Sequence, residues 1–228
     1  MLVAFDMFGT LADTSGVAGE LKLVCGERAV DAARVWRARQ LEYMFRVTAM
    51  GQFPTFAELT SWGLIAALHE LGIPLPAADR IEQLVGAYRR LRPFDDVLPA
   101  LVGLRARQHG IVVFSVGPRA WLEDLVADYT ELVDDIISAE DAGVYKPHPG
   151  IYRHLLAHTG VGASGVVVVS SNPFDIIGAG AAGLQTVWCC RNPQAMFDPW
   201  GPQPDHIVAN LLELAEVLDS VPGSRESV

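Results

Sequence analysis

The tightest constraint on how this chain can fold lies in its first eleven residues, Leu2-Val3-Ala4-Phe5 followed by Asp6-Met7-Phe8-Gly9-Thr10-Leu11. Four consecutive apolar residues predict a strand buried on both faces, and such a strand belongs in a parallel sheet covered by helices. The carboxylate directly after it marks the point where the strand leaves the core, which is where open parallel sheets bind ligands. Gly9 permits a sharp turn, and the Thr10 hydroxyl can hold a carboxylate or cap the next segment. Read alone, Asp6 is as readily a turn cap as a reacting group.

The rhythm of the remaining sequence decides what surrounds that strand. From about Ser15 to about Leu91 the chain is helix-rich and lacks strand alternation. Glu27 to Met50 carries apolar residues at helical spacing, and Pro54, Gly72, Pro74 and Pro76 punctuate two further helices. From Val97 helix and strand alternate. The pattern predicts a helix to about Gln108, a strand over Ile111–Phe114, a helix from about Arg119 and a strand over Asp135–Ser138. A helix over Gly150–His158, a strand over Val166–Val169, a helix over Ile176–Ala182, a strand over Thr186–Cys189 and a last helix over Leu211–Leu218 follow. Repeating βα units with Val-rich strands imply an α/β protein with a doubly wound parallel sheet. The domains expected are a core of residues 1–14 and 92–228 and an inserted helical cap of residues 15–91. Pro222–Val228 reads as a frayed end.

Composition narrows the function classes. A chain of 228 residues with 50% hydrophobic and 19% charged residues is globular rather than disordered. Its formal net charge of −10 argues against a nucleic-acid partner, though local Arg and Lys can still draw an anion into a cleft. Cys25, Cys189 and Cys190 cannot frame a disulfide-stapled secreted domain, which points to a reducing cytoplasm. The apolar opening is cut short by Asp6, and no run approaches the ~20 residues of a membrane span, so neither a signal peptide nor a membrane partner is expected. His154 and His158 stand four apart without the Glu of a zinc-protease motif, and read as a solvated helix face.

Three later stretches fall at ends of predicted strands or in a stiffened loop. Ser115 in Phe114-Ser115-Val116-Gly117 offers a hydroxyl and freed N–H groups to an anion, or is an ordinary cap. Lys146, in Gly143-Val144-Tyr145-Lys146-Pro147-His148-Pro149, is carried on a loop stiffened by two prolines, with Tyr152 following. Ser170-Ser171-Asn172-Pro173-Phe174-Asp175 places polar side chains and an Asp after a fully apolar strand, which is costly unless they are satisfied. In the helical insertion, Arg37 and Leu41 stand four apart and share one helical face, while Arg39 is rotated to the far side. A surface Lys and a surface Arg ion pair remain open readings of Lys146 and Arg37.

Together these segments resemble the haloacid dehalogenase superfamily, whose first motif is a strand followed by Asp-x-x-x-Thr. In the superfamily's phosphatases a second Asp stands two residues after the first. Here that position is Phe8, which resembles the L-2-haloacid dehalogenase (type II) branch, as does Ser-Ser-Asn-x-aromatic-Asp. The difference has a chemical reason, since an alkoxide leaving a phosphate ester needs a general acid and a halide needs no proton. The resemblance implies hydrolysis of short 2-halo carboxylates with inversion, no cofactor, no metal, and a homodimer.

It also implies a role for each residue. Asp6 attacks and forms an alkyl ester, and Arg37 stabilises the departing halide. Ser115 and main-chain N–H groups near Met7 anchor the carboxylate. Leu41, Phe56 and Phe174 hold the alkyl group. Asp175, oriented with Asn172 and Lys146, activates water, and Thr10, Tyr152 and Ser170 position these groups. Val116 departs from the family's Asn, whose amide helps cradle the halide. A magnesium-dependent phosphatase, a hydrolase of another bond beside a carboxylate such as that of a strained ring amine, and a non-catalytic binding protein are the competing readings.

Overall fold

The computed structural model describes residues 1–219. β1 (Leu2–Phe5) opens the chain and is followed by helices α1 (Val17–Cys25), α2 (Ala29–Ala49), α3 (Phe56–Glu70) and α4 (Ala78–Val85). The chain then alternates through α5 (Val97–Ala106), β2 (Gly110–Ser115), α6 (Arg119–Leu125), β3 (Asp135–Ser138), α7 (Ala139–Ala142) and α8 (Pro149–Thr159). It closes with β4 (Val166–Ser170), α9 (Pro173–Ala181), β5 (Gln185–Cys189), β6 (His206–Val208) and α10 (Leu214–Asp219). The expectation for Pro222–Val228 lies outside the described residues.

All the strands pair in parallel in one sheet of order β3-β2-β1-β4-β5-β6. The chain builds outward from β1 through β2 to β3, then crosses to β4 on the other side, so β1 lies at the switch point of the sheet. Phe5 is level with Val113 of β2 and Val169 of β4, which brings Asp6, Ser115 and Ser170 to one end of the sheet. Val3, Ala4 and Phe5 are fully buried, as a central strand covered on both faces requires.

The helical insertion is held by local features of its sequence. Thr55 and Glu58 form a reciprocal capping box that starts α3. Gly63 lets α3 approach α2, because a Cβ there would stand 2.9 Å from the Gln40 backbone nitrogen. The insertion meets the sheet domain through aromatic pairs: Phe56 stacks on Phe8 at 5.1 Å, Phe53 on Tyr145 at 4.4 Å, and Phe45 meets Phe174 edge-on at 5.1 Å. Each such pair contributes about 0.5–1.5 kcal/mol beyond its area. Tyr145 also donates to the Pro54 carbonyl at 2.7 Å.

Several expected boundaries shift for identifiable reasons. α9 begins three residues before Ile176, because Pro173 occupies the first helical turn, where a missing N–H is harmless. The last helix divides into a 3-10 turn over Leu211–Glu213 and α10, with Asn210 capping the turn. β6 was not anticipated, since three residues between Asp205 and Ala209 carry no periodic signal. His154 and His158 do not form a bare solvated face: His158 Nε2 lies 2.7 Å from Asp135 Oδ2, and His154 Nε2 is buried. Among the described residues the three cysteines are free, and no helix is long and apolar enough to cross a membrane.

Candidate active site

Asp6 leaves β1 with its N–H donating to Val169 O at 3.0 Å, then enters a turn in which the Met7 carbonyl accepts from Thr10, Leu11 and Ala12. Gly9 sits at φ +87°, a conformation that L side chains rarely adopt, and this lets Thr10 fold back toward Asp6. The Thr10 hydroxyl donates to Asp6 Oδ2 at 2.9 Å and accepts from the Ser171 N–H at 2.8 Å. Asn172 Nδ2 reaches the same Asp6 oxygen at 2.8 Å and the Phe8 carbonyl at 3.2 Å. Asn172 is thus the N-cap residue of α9 whose side chain serves the neighbouring strand instead of its own helix. Ser170 Oγ accepts from the Asn172 N–H at 3.1 Å and holds that turn.

Lys146 is buried, with 1% of its surface exposed, which is tolerable only because its charge is paired and its donors are used. Its Nζ donates to Asp175 Oδ2 at 2.7 Å, to the Phe114 carbonyl at 2.7 Å and to Asp6 Oδ1 at 3.3 Å. Asp175 Oδ1 accepts from the Tyr152 hydroxyl at 2.9 Å. Burial pushes the Asp175 carboxyl above its ordinary range, Lys146 opposes that, and the nearby charge of Asp6 adds to it. Tyr152 is likewise held well above the usual phenol range, by burial and then by the Asp175 charge.

One network therefore joins Asp6, Thr10, Lys146, Tyr152, Ser170, Asn172 and Asp175. The other expected residues stand around it. Ser115 is buried and accepts from the Gly117 N–H at 3.3 Å, and Val116 beside it is buried without a polar group. Met7 is buried beneath the turn. Arg37 is half-buried and gives its hydrogen bond to Gln40 Oε1 at 2.7 Å rather than to the network. Leu41 and Phe174 are half-buried against the core, and Phe56 is buried between Phe8 and Trp121.

Other residues close the site without having been singled out for it. Gln40 Nε2 donates to Thr60 Oγ1 at 2.5 Å, and Thr60 Oγ1 donates to the Phe56 carbonyl at 2.6 Å, so the Arg37 guanidinium is tied through side chains to the aromatic wall. Tyr88 is fully buried against Phe8, Trp36 and Phe56, with a hydroxyl that finds no protein partner among the described residues. Arg191 donates to the Thr10 carbonyl. A polar residue at helical spacing beside Arg37 was the one available signal for Gln40; Tyr88 and Arg191 gave none.

Comparison with known proteins follows the same lines. Over 225 residues the chain is 31% identical to (S)-2-haloacid dehalogenase 2 of Pseudomonas sp. (strain CBS-3), covering 98% of this chain and 97% of that one. It is 33% identical over 208 residues to haloacetate dehalogenase H-2 of Moraxella sp. (strain B), covering 90% and 92%. The structure of L-2-haloacid dehalogenase from Xanthobacter autotrophicus with chloropropionic acid covalently bound superposes with a TM-score of 0.89 at 28% identity, covering 96% of this chain and 99% of that chain. The family model of haloacid dehalogenase-like hydrolases matches residues 1–183, the span that holds both carboxylates and the lysine between them, and the chain belongs to that family.

Proposed function

We propose that this protein hydrolyses the carbon–halogen bond of short 2-haloalkanoic acids, giving 2-hydroxy acids with inversion. The observation that carries the reading is the asymmetric holding of Asp6: Oδ2 is fixed by Thr10 at 2.9 Å and Asn172 at 2.8 Å, while among the described residues Oδ1 meets only Lys146 at 3.3 Å. A carboxylate anchored through one oxygen presents the other for attack. Asp6 forms a bond to the alpha carbon as the carbon–halogen pair of electrons departs with the halide, which Arg37 receives. Water then attacks the ester carbonyl of Asp6 and gives a proton to Asp175. Collapse of the adduct returns that proton to the departing alkoxide and leaves Asp6 as the free acid, which loses water's second proton to solvent and is a carboxylate again.

The electrostatics favour this order. While Asp6 is ionised its charge raises the Asp175 carboxyl; once Asp6 is an ester that contribution vanishes and Lys146 serves Asp175 alone. Esterification thus strengthens the case for an ionised base in the step that needs one. Ser115 and N–H groups near Met7 bind the substrate carboxylate, Leu41, Phe56 and Phe174 enclose the alkyl group, and Tyr152 and Ser170 position the network. Metal independence is part of the reading: Phe8 stands where the phosphatases of the superfamily carry an acid, and the Lys146 cation reaches both Asp6 and Asp175.

Residues 15–91 are read as the cap and residues 1–14 with 92–228 as the core. A homodimer is proposed from the groove between α2 and α3, which leaves Met50, Trp62 and Leu75 exposed. A cytoplasmic setting rests on the cysteines, free among the described residues, the expectation of no nucleic-acid partner on the net charge of −10, and that of no membrane partner on the lack of a long apolar run. Val116, which offers no donor to a halide, favours a second reading in which another bond at an alpha carbon is opened.

The deciding experiment is a single turnover of 2-chloropropionate in heavy-oxygen water. Label should appear in the Asp6 carboxylate; label confined to the first-formed product removes the ester route.

A further inference from the structure

Arg191 lies just beyond β5 and outside the residues matched by the family model, which end at 183. Its Nε and Nη2 donate to the Thr10 carbonyl at 3.1 and 2.6 Å, and its Nη1 pairs with Asp96 Oδ2 at 3.0 Å. The guanidinium carbon lies 3.8 Å from the centroid of the Phe94 ring. Asp96 Oδ2 is itself anchored by the Leu211 N–H at 2.7 Å. The two chain segments touched by this one group run side by side: Phe94 N donates to Leu11 O at 3.0 Å and Asp13 N to Arg92 O at 2.8 Å. One leads out of the sheet domain into the helical insertion, and the other leads back. The planar guanidinium fork donates to two acceptors in different directions while its face stacks on a ring, a set of contacts that Lys can reproduce only in part.

The carbonyl that Arg191 holds belongs to the residue whose hydroxyl donates to Asp6 Oδ2 at 2.9 Å. We propose that Arg191 is a positioning residue: it clasps the outgoing segment at Thr10 to the returning segment at Phe94 and Asp96, and thereby fixes the hydroxyl that orients Asp6. This rests on Asp6 being the nucleophile. Arg191 bonds to the Thr10 carbonyl and not to Asp6, so its loss should act through Thr10 and slow the first chemical step, which halide release follows.

The test compares the full-length wild type with Arg191→Ala and Arg191→Lys, following halide release from 2-chloropropionate in single turnovers and amide hydrogen exchange over residues 9–13. Arg191→Ala should slow ester formation by about 10- to 100-fold, the usual consequence of a small misplacement at a reacting group, with KM nearly unchanged. Exchange over residues 9–13 should rise. Millimolar guanidinium ion should restore part of the rate to Arg191→Ala and none to the wild type, and Arg191→Lys should fall between the two. A lower Tm with ester formation as fast as in wild type would reduce Arg191 to a structural staple and overturn the proposal. Unchanged exchange over residues 9–13 would overturn it as well. Should Arg191→Ala fail to fold, Asp96→Asn weakens the same clasp and must raise exchange over the same residues. A wild type inert on every halo acid would remove the reading of Asp6, and exchange would still decide whether Arg191 holds the turn.

Discussion

On the sheet side of the site, Asp6 Oδ2 receives two donors, Lys146 Nζ gives three bonds, and both oxygens of Asp175 are occupied. On the helical side, Arg37 donates from Nη1 to Gln40 of its own helix, and the side chains of Leu41 and Phe56 offer no polar atoms. The two sides therefore do different work. In the proposed reaction, attack and ester hydrolysis use groups already held in place, and such preorganised contacts contribute most to rate. In that reading the wall that receives the leaving group and the alkyl chain is mainly shape, with the Arg37 guanidinium, held at Nη1 by Gln40, as the cation offered to the anion. Substrate preference should be set there, and reaction type on the sheet side.

The largest expected effect tests the sheet side at its centre. Asp6→Ala should abolish turnover, by on the order of 10⁴-fold or more in kcat, as for loss of a covalent nucleophile. Substantial residual halide release by the folded variant would break the comparison outright. Lys146→Ala should follow with a loss of about 100-fold, ~3 kcal/mol, through removal of the one cation shared by two carboxylates. Wild-type turnover is expected to survive exhaustive chelation; activity lost to a chelator and restored by magnesium would instead assign that role to a metal.

The pocket for the departing halide, to which Val116 belongs in the proposed reading, predicts a gain. Val116→Asn adds an amide donor beside the departing halide and should raise halide release by about 10-fold, ~1.4 kcal/mol, with Tm unchanged. No gain on any halo acid would show that the wall was never shaped for a halide. The smallest effect is in pH dependence. Asp175 must be ionised to accept a proton from water and burial raises its carboxyl, so kcat should fall as pH drops through a value above the usual carboxylate range. Tyr152→Phe removes a hydrogen bond that favours the ionised form and should move that acid limb upward. A limb unmoved in a variant of unaltered stability would deny Asp175 the role of base.

Much of the sheet side is legible in sequence because Asp6, Ser115 and Ser170 follow apolar runs and Lys146 stands directly before a proline. Asp6, Ser170 and Asp175 stand out where Leu2–Phe5 and Val166–Val169 end, and period-2 reasoning locates such ends well. What connects them was not legible. That Asn172 turns from its own helix to Asp6, or that Lys146 finds the Phe114 carbonyl, depends on strand register, which no local pattern encodes. The helical side is read in sequence through Arg37, Leu41 and Phe56, while the tie of Arg37 to Gln40 and Thr60 is a contact between α2 and α3 made possible by Gly63. Arg191 escaped because a lone Arg after a short strand is ordinarily a solvated side chain.

Phe8 has a consequence for how far this chain lies from other chemistries. Its ring stacks on Phe56, meets Tyr88 edge-on, and fills the space beside Gly117 so closely that a Cβ there would lie 2.7 Å from it. Replacing Phe8 by Asp would supply the acid that phosphate esters need. It would also open a ring-sized void and set a third carboxylate in a dry pocket near Asp6 and Asp175, where it would be protonated or disruptive. A change at position 8 therefore disturbs both the stacking on Phe56 and the contact beside Gly117. The route from this hydrolase to a phosphatase is thus no single step in sequence space, because the packing of the helical wall has become the guardian of the sheet's reaction.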